Sequence, residues 1–354
     1  MPLLPGTPHR LRRLPVPSVP VHRRCRGHRP GLRALPAPAA GGCRAAAGGT
    51  ADLHDAAATV RVILLGTAAG GGFPQWNCAC ALCLGARRGT LPPRSQECVA
   101  VSGNSRDWWL LNASPDIRAQ LLGTPALRPG PQPRDTPVRG VLLTDAEVDH
   151  TLGLLILRGA TDLTVYATTA VLDSLPLRGL LDRYAPWMWR DSVRPGGFDL
   201  AGGLRVTAHP VGHKTPKYVV AAARDDHWVT ALRIEDTATG RALLYAPCLP
   251  ARPTGLDDLL TSADCALLDG TFFSADEMGT TIGSHPGTQQ ARMGHLPITG
   301  HNGTLAALAH HPNLRRIYTH LNNTNPLLDP RSTASTLVEQ AGVEICSDGA
   351  EFVV

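Results

Sequence analysis

The sequence predicts an α/β fold built as a four-layer αββα sandwich, and three observations carry that expectation. Short aliphatic runs such as Val141-Leu142-Leu143 lead directly into polar loops, the pattern of strands that present functional groups at their ends. A strand, strand, helix rhythm occurs twice along the chain, and neither half alone would cover both faces of its sheet. Roughly 295 residues from Val60 to Val354 suffice for one large core rather than an array of repeats.

The N-terminal stretch is different in kind. Met1 to Thr50 is rich in Pro, Arg, Ala and Gly, holds no Asp or Glu, and shows neither alternation nor a helical stripe, so it is expected to be disordered. Its arginines outnumber the chain's net charge of +5, which leaves the folded part mildly acidic and without the balance of a nucleic-acid-binding surface. Frequent prolines disfavour an amphipathic targeting helix, and no continuous apolar segment of a signal peptide is present. Lys214 and Lys217 are the sole lysines among many arginines, a sign of codon bias in a GC-rich genome. Residues 1–58 are therefore expected to be an upstream extension outside the native protein, with one domain over 59–354. No run of eighteen apolar residues exists, so no membrane span is expected. Nine cysteines, an odd number and mostly scattered, fit a reducing cytoplasm.

The domain opens with the apolar strand Val60–Gly66. The glycines at 70–72 lack the spacing of a dinucleotide loop, because Pro74 and a cysteine cluster follow where a helix should open. Ser95–Ser102 and Asp107–Leu111 form a hairpin about Gly103-Asn104. Ser114-Pro115-Asp116 starts a helix, with Asp116 placed to cap it. Leu163–Ala167 is a strand, and Ala170–Leu181 a helix interrupted by Pro176. Gly203–Pro210, Trp228–Glu235, Arg241–Ala246 and Ala266–Phe273 are further strands, the middle two a hairpin about Thr239-Gly240. Arg316-Ile317-Tyr318 is the last strand expected.

Cys78-Ala79-Cys80-Ala81-Leu82-Cys83 puts three thiols within six residues on a loop entering a helix. Thiolates at these spacings close on one tetrahedral ion, so a structural zinc is expected, with a redox or buried cysteine set as the other reading. A fourth ligand is missing nearby; Asn323 and His285 are candidates.

The most informative stretch is Thr144-Asp145-Ala146-Glu147-Val148-Asp149-His150, between an aliphatic strand and Gly153-Leu154. A helix-capping turn is the simple alternative, but the spacing resembles the metallo-β-lactamase superfamily signature Thr-His-x-His-x-Asp-His. Asp145 and Glu147 stand in place of the two earlier histidines. The resemblance implies that Asp149 and His150 join a later histidine after a strand, which Thr319-His320 supplies. Two imidazoles and one carboxylate leave open positions on a metal, as in non-haem Fe(II) sites that bind dioxygen. A bridging aspartate is expected near Tyr245–Cys248, where no carboxylate occurs, so one metal is expected rather than two. His213 falls near a third superfamily ligand position but, with its partners replaced, reads as a loop histidine. Asn112 or Asp116 is the expected support of the metal loop.

Asn77-Cys78-x-Cys80, Ser114–Arg118, Thr144–Leu154, Asp269-Gly270-Thr271, Met293–Ile298 and Tyr318–Pro326 together resemble the coenzyme PQQ synthesis protein B family, a metallo-β-lactamase-like αββα sandwich, from about Val60 to the C-terminus. The resemblance implies a role in making pyrroloquinoline quinone (PQQ) from a precursor derived from a Glu/Tyr peptide. It further implies an Fe(II)-dependent hydroxylase of the tyrosine ring, with O2 as co-substrate and an external reductant. Transport of PQQ or its precursor toward the periplasm, and zinc-dependent hydrolysis as in the parent superfamily, are the alternatives. On this reading Asp149, His150 and His320 hold iron and Cys78, Cys80 and Cys83 hold zinc. His295 is a candidate acid, base or substrate ligand near the metal, Asp145 and Glu147 are candidates to orient His150 or His320 or to bind substrate amines, and Asn325 is a candidate contact to the bound compound. The partner is the precursor or PQQ itself, with no nucleic acid and no membrane span, and the chain is a candidate homodimer.

Overall fold

The computed structural model describes residues 59–220, 227–282, 290 and 292–354, and the expected extension over residues 1–58 lies outside them. Among the described residues the chain forms two seven-stranded sheets. Six consecutive strands make most of the first: β1 (Arg61–Gly66), β2 (Cys98–Ser102), β3 (Trp108–Leu111), β4 (Val138–Leu142), β5 (Thr164–Ala167) and β6 (Met188–Asp191). The next seven make the second: β7 (Phe198–Leu200), β8 (Leu204–Gly212), β9 (Val229–Asp236), β10 (Ala242–Ala246), β11 (Cys265–Asp269), β12 (Arg315–Thr319) and β13 (Val343–Ile345). The last strand, β14 (Glu351–Val353), returns to the first sheet beside β1.

Alternation along β1 shows how the layers form. Val62 and Leu64 point between the sheets, where they meet Val99, Leu111, Ile234 and Tyr245, while Ile63 and Leu65 point outward to an apolar layer that includes Ile117 and Leu154 of the helices. Both faces are covered, so the strands read as near-continuous apolar runs. This is the expected αββα sandwich.

Each sheet is antiparallel on one side and parallel on the other: β3, β4, β5 and β6 run parallel, as do β10, β11, β12 and β13. Loops leaving the C-terminal ends of β4, β11 and β12 carry the acidic and histidine residues singled out above, the usual place for ligands in open α/β sheets.

The helix expected over 170–181 with an interruption at Pro176 is found as two short helices, Thr169–Ser174 and Arg178–Leu181, on either side of that proline; other elements depart from expectation. β6, β7, β13 and β14 were not expected from the sequence; the last three have three residues each, too few to show a period. Asp116 does not cap helix α2 (Ile117–Gly123; we number as α1 the helix Ala81–Arg87). Its Oδ2 instead accepts from the Gln96 backbone N–H at 2.9 Å and side chain at 3.1 Å, pinning the loop before β2.

The metal loop runs into two short helices, α3 (Val148–Thr151) and α4 (Gly153–Leu157). Their junction is held against the end of β3 by Ala113 N–H to His150 O at 2.7 Å and Gly153 N–H to Ala113 O at 2.9 Å. A Cβ on Gly153 would lie 2.3 Å from Ser114 O and 2.6 Å from Ala113 O, all backbone atoms with little freedom to retreat. Gly153→Ala is therefore expected to cost about 3 kcal/mol of stability by forcing the helices off the sheet, read as a lowered urea midpoint; an unchanged midpoint would contradict the packing described.

Candidate functional site

The loop after β4 and the residue after β12 bring Asp149, His150 and His320 together. Asp149 Oδ2 lies 3.4 Å from His320 Nε2 and 3.9 Å from His150 Nε2, and the two rings meet edge to face with centroids 5.1 Å apart. One ligand atom from each lies within 4.8 Å of the others, close enough to share an ion. Each histidine is aimed by its other nitrogen. His150 Nδ1 is 2.8 Å from both carboxylate oxygens of Asp145, and His320 Nδ1 is 2.7 Å from Thr271 Oγ1. His320 holds a left-handed backbone, φ 60°, at the strand end, a conformation disfavoured outside glycine.

His150 Nε2 is buried and has no hydrogen-bond partner. Such an orphaned atom costs free energy unless something occupies its lone pair, and an ion shared with Asp149 would do so. The electrostatics agree. Burial alone would lower the basicity of His150, but Asp145 and Asp149 raise its pKa to about 10. Burial likewise opposes ionisation of Asp145, and His150 outweighs it to hold that carboxyl at about 2. Asp149 is drawn below the usual carboxylate range against its burial by His150 and His320. The pocket thus demands positive charge at His150 Nε2, supplied by a proton or by a metal cation. The donor set fits a single ion with vacant positions.

A second carboxylate–histidine pair stands beside it. His295 Nδ1 is 2.8 Å from Asp269 Oδ2 and 3.1 Å from Thr271 Oγ1, and its ring stacks on His320 at 5.1 Å. Asp269, His295 and His320 also come within ligand reach of one another. Their facing atoms are already engaged, however: Asp269 accepts from Leu249 N, Thr271 N and Thr271 Oγ1 as well as His295. No carboxylate lies at Tyr245–Cys248; Asp269 ends the neighbouring strand β11, whose Leu268 pairs with Ala246. Sequence reasoning passed over Asp269 as a site residue, although a charged residue closing an all-apolar run was the signal for it.

Behind Asp145 a buried network fixes the loop. Asp145 accepts from Thr144 Oγ1 at 2.8 Å, and Asn112 Oδ1 accepts from Thr144 N at 3.0 Å. Asn112 Nδ2 donates to Tyr245 Oη at 3.0 Å, which donates to Glu97 Oε2 at 2.5 Å. Asn112, and not Asp116, is the residue that supports the metal loop. Glu97 and Tyr245 had no distinguishing mark in the sequence.

Two expected roles are corrected. The Glu147 carboxylate does not orient His150 or His320; its Oε1 is 2.6 Å from Lys214 Nζ. Asn325 is fully buried and absent from the cavity wall: its Nδ2 donates to Gly270 O and its Oδ1 accepts from Leu327 N, tying the β11 loop to the His320 loop. His213 is exposed and joins no metal-ligating group among the described residues.

Cys78, Cys80 and Cys83 place their sulfurs within 4.8 Å of one another at the start of α1. Asn323 lies on the cluster, its side-chain amide 3.4 Å from Cys83 Sγ, whereas His285 lies outside the described residues. Burial pushes the Cys83 thiol up to about 11. Burial acts the same way on Cys78, but hydrogen bonds from Cys80, Cys83 and Asn323 outweigh it and bring that thiol below its ordinary value. Three adjacent sulfurs form a thiolate set when a cation neutralises them.

A cavity of about 930 Å³ opens over Asp149, His150, His295 and His320. Gly70 lies on its wall because a Cβ there would approach Asp149 Oδ2 to 3.0 Å. No helix among the described residues is long and apolar enough to cross a membrane.

Residues 107–321 match the model of the beta-lactamase superfamily domain. Over 312 residues the chain is 40% identical to coenzyme PQQ synthesis protein B of Nitrosococcus oceani, covering 82% of this chain and 99% of the relative. The chain belongs to the coenzyme PQQ synthesis protein B family. The family protein of Cupriavidus necator is 42% identical over 304 residues, with 82% of this chain and 98% of that one covered. The crystal structure of Zn2+-bound PqqB from Methylobacterium extorquens, 36% identical, superposes with a TM-score of 0.76 over 83% of this chain and 100% of that chain. Family membership and the fold thus agree with the resemblance read from the motifs.

Asp145→Asn is expected to weaken metal binding 10- to 100-fold, because the amide orients His150 less firmly and removes a neighbouring negative charge; chelator competition measures it, and unchanged affinity would remove Asp145 from the site. Glu97 supplies a pH test. Burial raises its pKa from 4.5 to about 7 in the metal-free chain, against the opposing charge of His150. The stability tied to that raised pKa is complete below the unfolded value and lost as pH rises through about 7. Glu97→Gln, compared with the parent after chelator treatment, should gain about 2 kcal/mol in relative stability between pH 5 and pH 8; a pH-independent difference in chemical denaturation would refute it.

Proposed function

We propose that the chain acts in the biosynthesis of PQQ, in the cytoplasm, as a metal-dependent oxygenase that hydroxylates the tyrosine ring of a precursor derived from a Glu/Tyr peptide. Fe(II) would be held by Asp149, His150 and His320, and a structural zinc by Cys78, Cys80 and Cys83, with Asn323 the nearest candidate for a fourth zinc ligand. The observation that carries the reading is the orphaned, buried His150 Nε2 facing Asp149 and His320, with no fourth ligand grouped with these three among the described residues.

A redox metal with vacant positions supplies the activation of O2. Stoichiometrically, one oxygen atom enters the ring and the other leaves as water, with two electrons and two protons from an external reductant. The chain's own residues bind, orient and move protons. Asp145 fixes the His150 tautomer through Nδ1, and Thr271 does the same for His320. His295, aimed by Asp269 and lining the cavity, is placed to take the phenol proton or return one. Phe272, Met278 and Met293 give the cavity apolar surface against which a ring would pack.

The two-zinc hydrolase of the parent superfamily is less well supported, because Asp145 and Glu147, in place of its histidines, are engaged with His150 and Lys214. A carrier would bind the quinone in the same cavity without turnover.

After anaerobic loading with Fe(II), His150→Ala and His320→Ala should lose iron and oxygen uptake on a Glu–Tyr peptide while keeping one zinc; Cys83→Ser should lose that zinc. Elemental analysis and an oxygen electrode read both. Oxygen uptake that persists in His150→Ala, or a second zinc lost with it, would overturn the oxygenase assignment.

A further inference from the structure

Of 34 basic residues in the chain only Lys214 and Lys217 are lysines, and both line the cavity, together with Arg292. In a chain that uses arginine almost everywhere else, two lysines within four positions on this wall mark a need for a compact, flexible ammonium. The local structure shows the fit. Gly294 has φ 77°, and a Cβ there would lie 2.3 Å from Lys214 Cδ, so the lysine stem rests on bare backbone immediately before His295. Its Nζ reaches Glu147 Oε1 at 2.6 Å, with both side chains about a fifth to a quarter exposed to the cavity. Tyr218 Oη donates to Ala146 O at 2.7 Å and clamps this segment to the loop that carries Asp149 and His150.

A paired ammonium and carboxylate at a cavity wall complement a ligand that itself bears both charges: its carboxylate meets Lys214 and its amine meets Glu147. Lys217 and Arg292, both exposed on the same wall, add positive charge beyond what Glu147 neutralises. We propose that Lys214 is a specificity-determining residue of the site, the anchor for a ligand carboxylate, and that Lys217 and Arg292 select for a second carboxylate on the same molecule. This rests on the reading that the cavity over His150 and His320 is the substrate site.

The test is equilibrium binding to the full, zinc-loaded chain, in which no turnover occurs, with three probes that differ in carboxylate number: tyrosine amide, tyrosine and the Glu–Tyr dipeptide. Glu–Tyr should bind at least tenfold more tightly than tyrosine amide, and the difference should shrink at high salt. Lys214→Met should weaken Glu–Tyr at least tenfold and leave tyrosine amide and the zinc content unchanged, and Lys214→Arg should recover part of the loss. Equal affinity for the three probes, or an equal loss for all of them in Lys214→Met, would overturn the inference. Should Lys214→Met lose zinc, the Lys217→Met/Arg292→Met double variant decides: a loss of about threefold or more confined to Glu–Tyr supports the anionic wall, and no change refutes it. Charge-selective binding without oxygen uptake would sink the oxygenase reading alone, and turnover of tyrosine amide and Glu–Tyr at equal KM would sink this inference alone.

Discussion

The buried contact between Asp145 and His150 is the constraint on which the site depends. With both carboxylate oxygens 2.8 Å from Nδ1, the ring has one free nitrogen and one direction in which to point it. That pair is expensive to bury unless its remaining groups are satisfied, and the surrounding structure serves that end: Thr144 and the Glu147 N–H complete Asp145, while Asn112, Tyr245 and Glu97 hold Thr144 from behind. The arrangement explains how a chain that lacks the superfamily's first two histidines still builds a metal-competent centre. A residue that elsewhere in the superfamily binds metal is here an orienting group.

The same logic recurs three times around the cavity. Asp145 aims His150, Thr271 aims His320, and Asp269 with Thr271 aims His295. Asp269 closes a strand whose parallel neighbours fix its register, and Thr271 follows it by two residues with its N–H and hydroxyl tied back to the Asp269 carboxylate. Sites supported in this way are held more tightly than sites carried by loops alone.

Much of this was legible in the sequence. The sandwich followed from apolar strands covered on both faces, and Asp149, His150, His320 and the three cysteines stood out because their spacing leaves few bland explanations. What could not be read was direction. Glu147 sits two residues from Asp145 and two from Asp149, yet points to Lys214, because the short helix α3 begins at Val148 and turns alternate side chains apart. Asn325 resembles a ligand contact by composition, but its amide is consumed by backbone partners that only the fold brings near. Tyr245 of β10 meets Glu97, just before β2 of the other sheet, and Asp269 at the end of β11 meets His295, and both meetings are properties of topology. The three-residue edge strands left no periodic trace for the opposite reason: they are made by their neighbours.

One loop touches both clusters of candidate ligands. His320 follows β12, and three residues later Asn323 rests on Cys83 through its side chain and on Cys80 through its carbonyl oxygen at 3.8 Å. The cysteine cluster therefore lies against the segment that follows His320, whose imidazole lines the cavity. His320 and Asn323 are joined by three peptide bonds, so the two clusters share one stretch of backbone although Cys83 and Asn323 lie 240 positions apart in sequence.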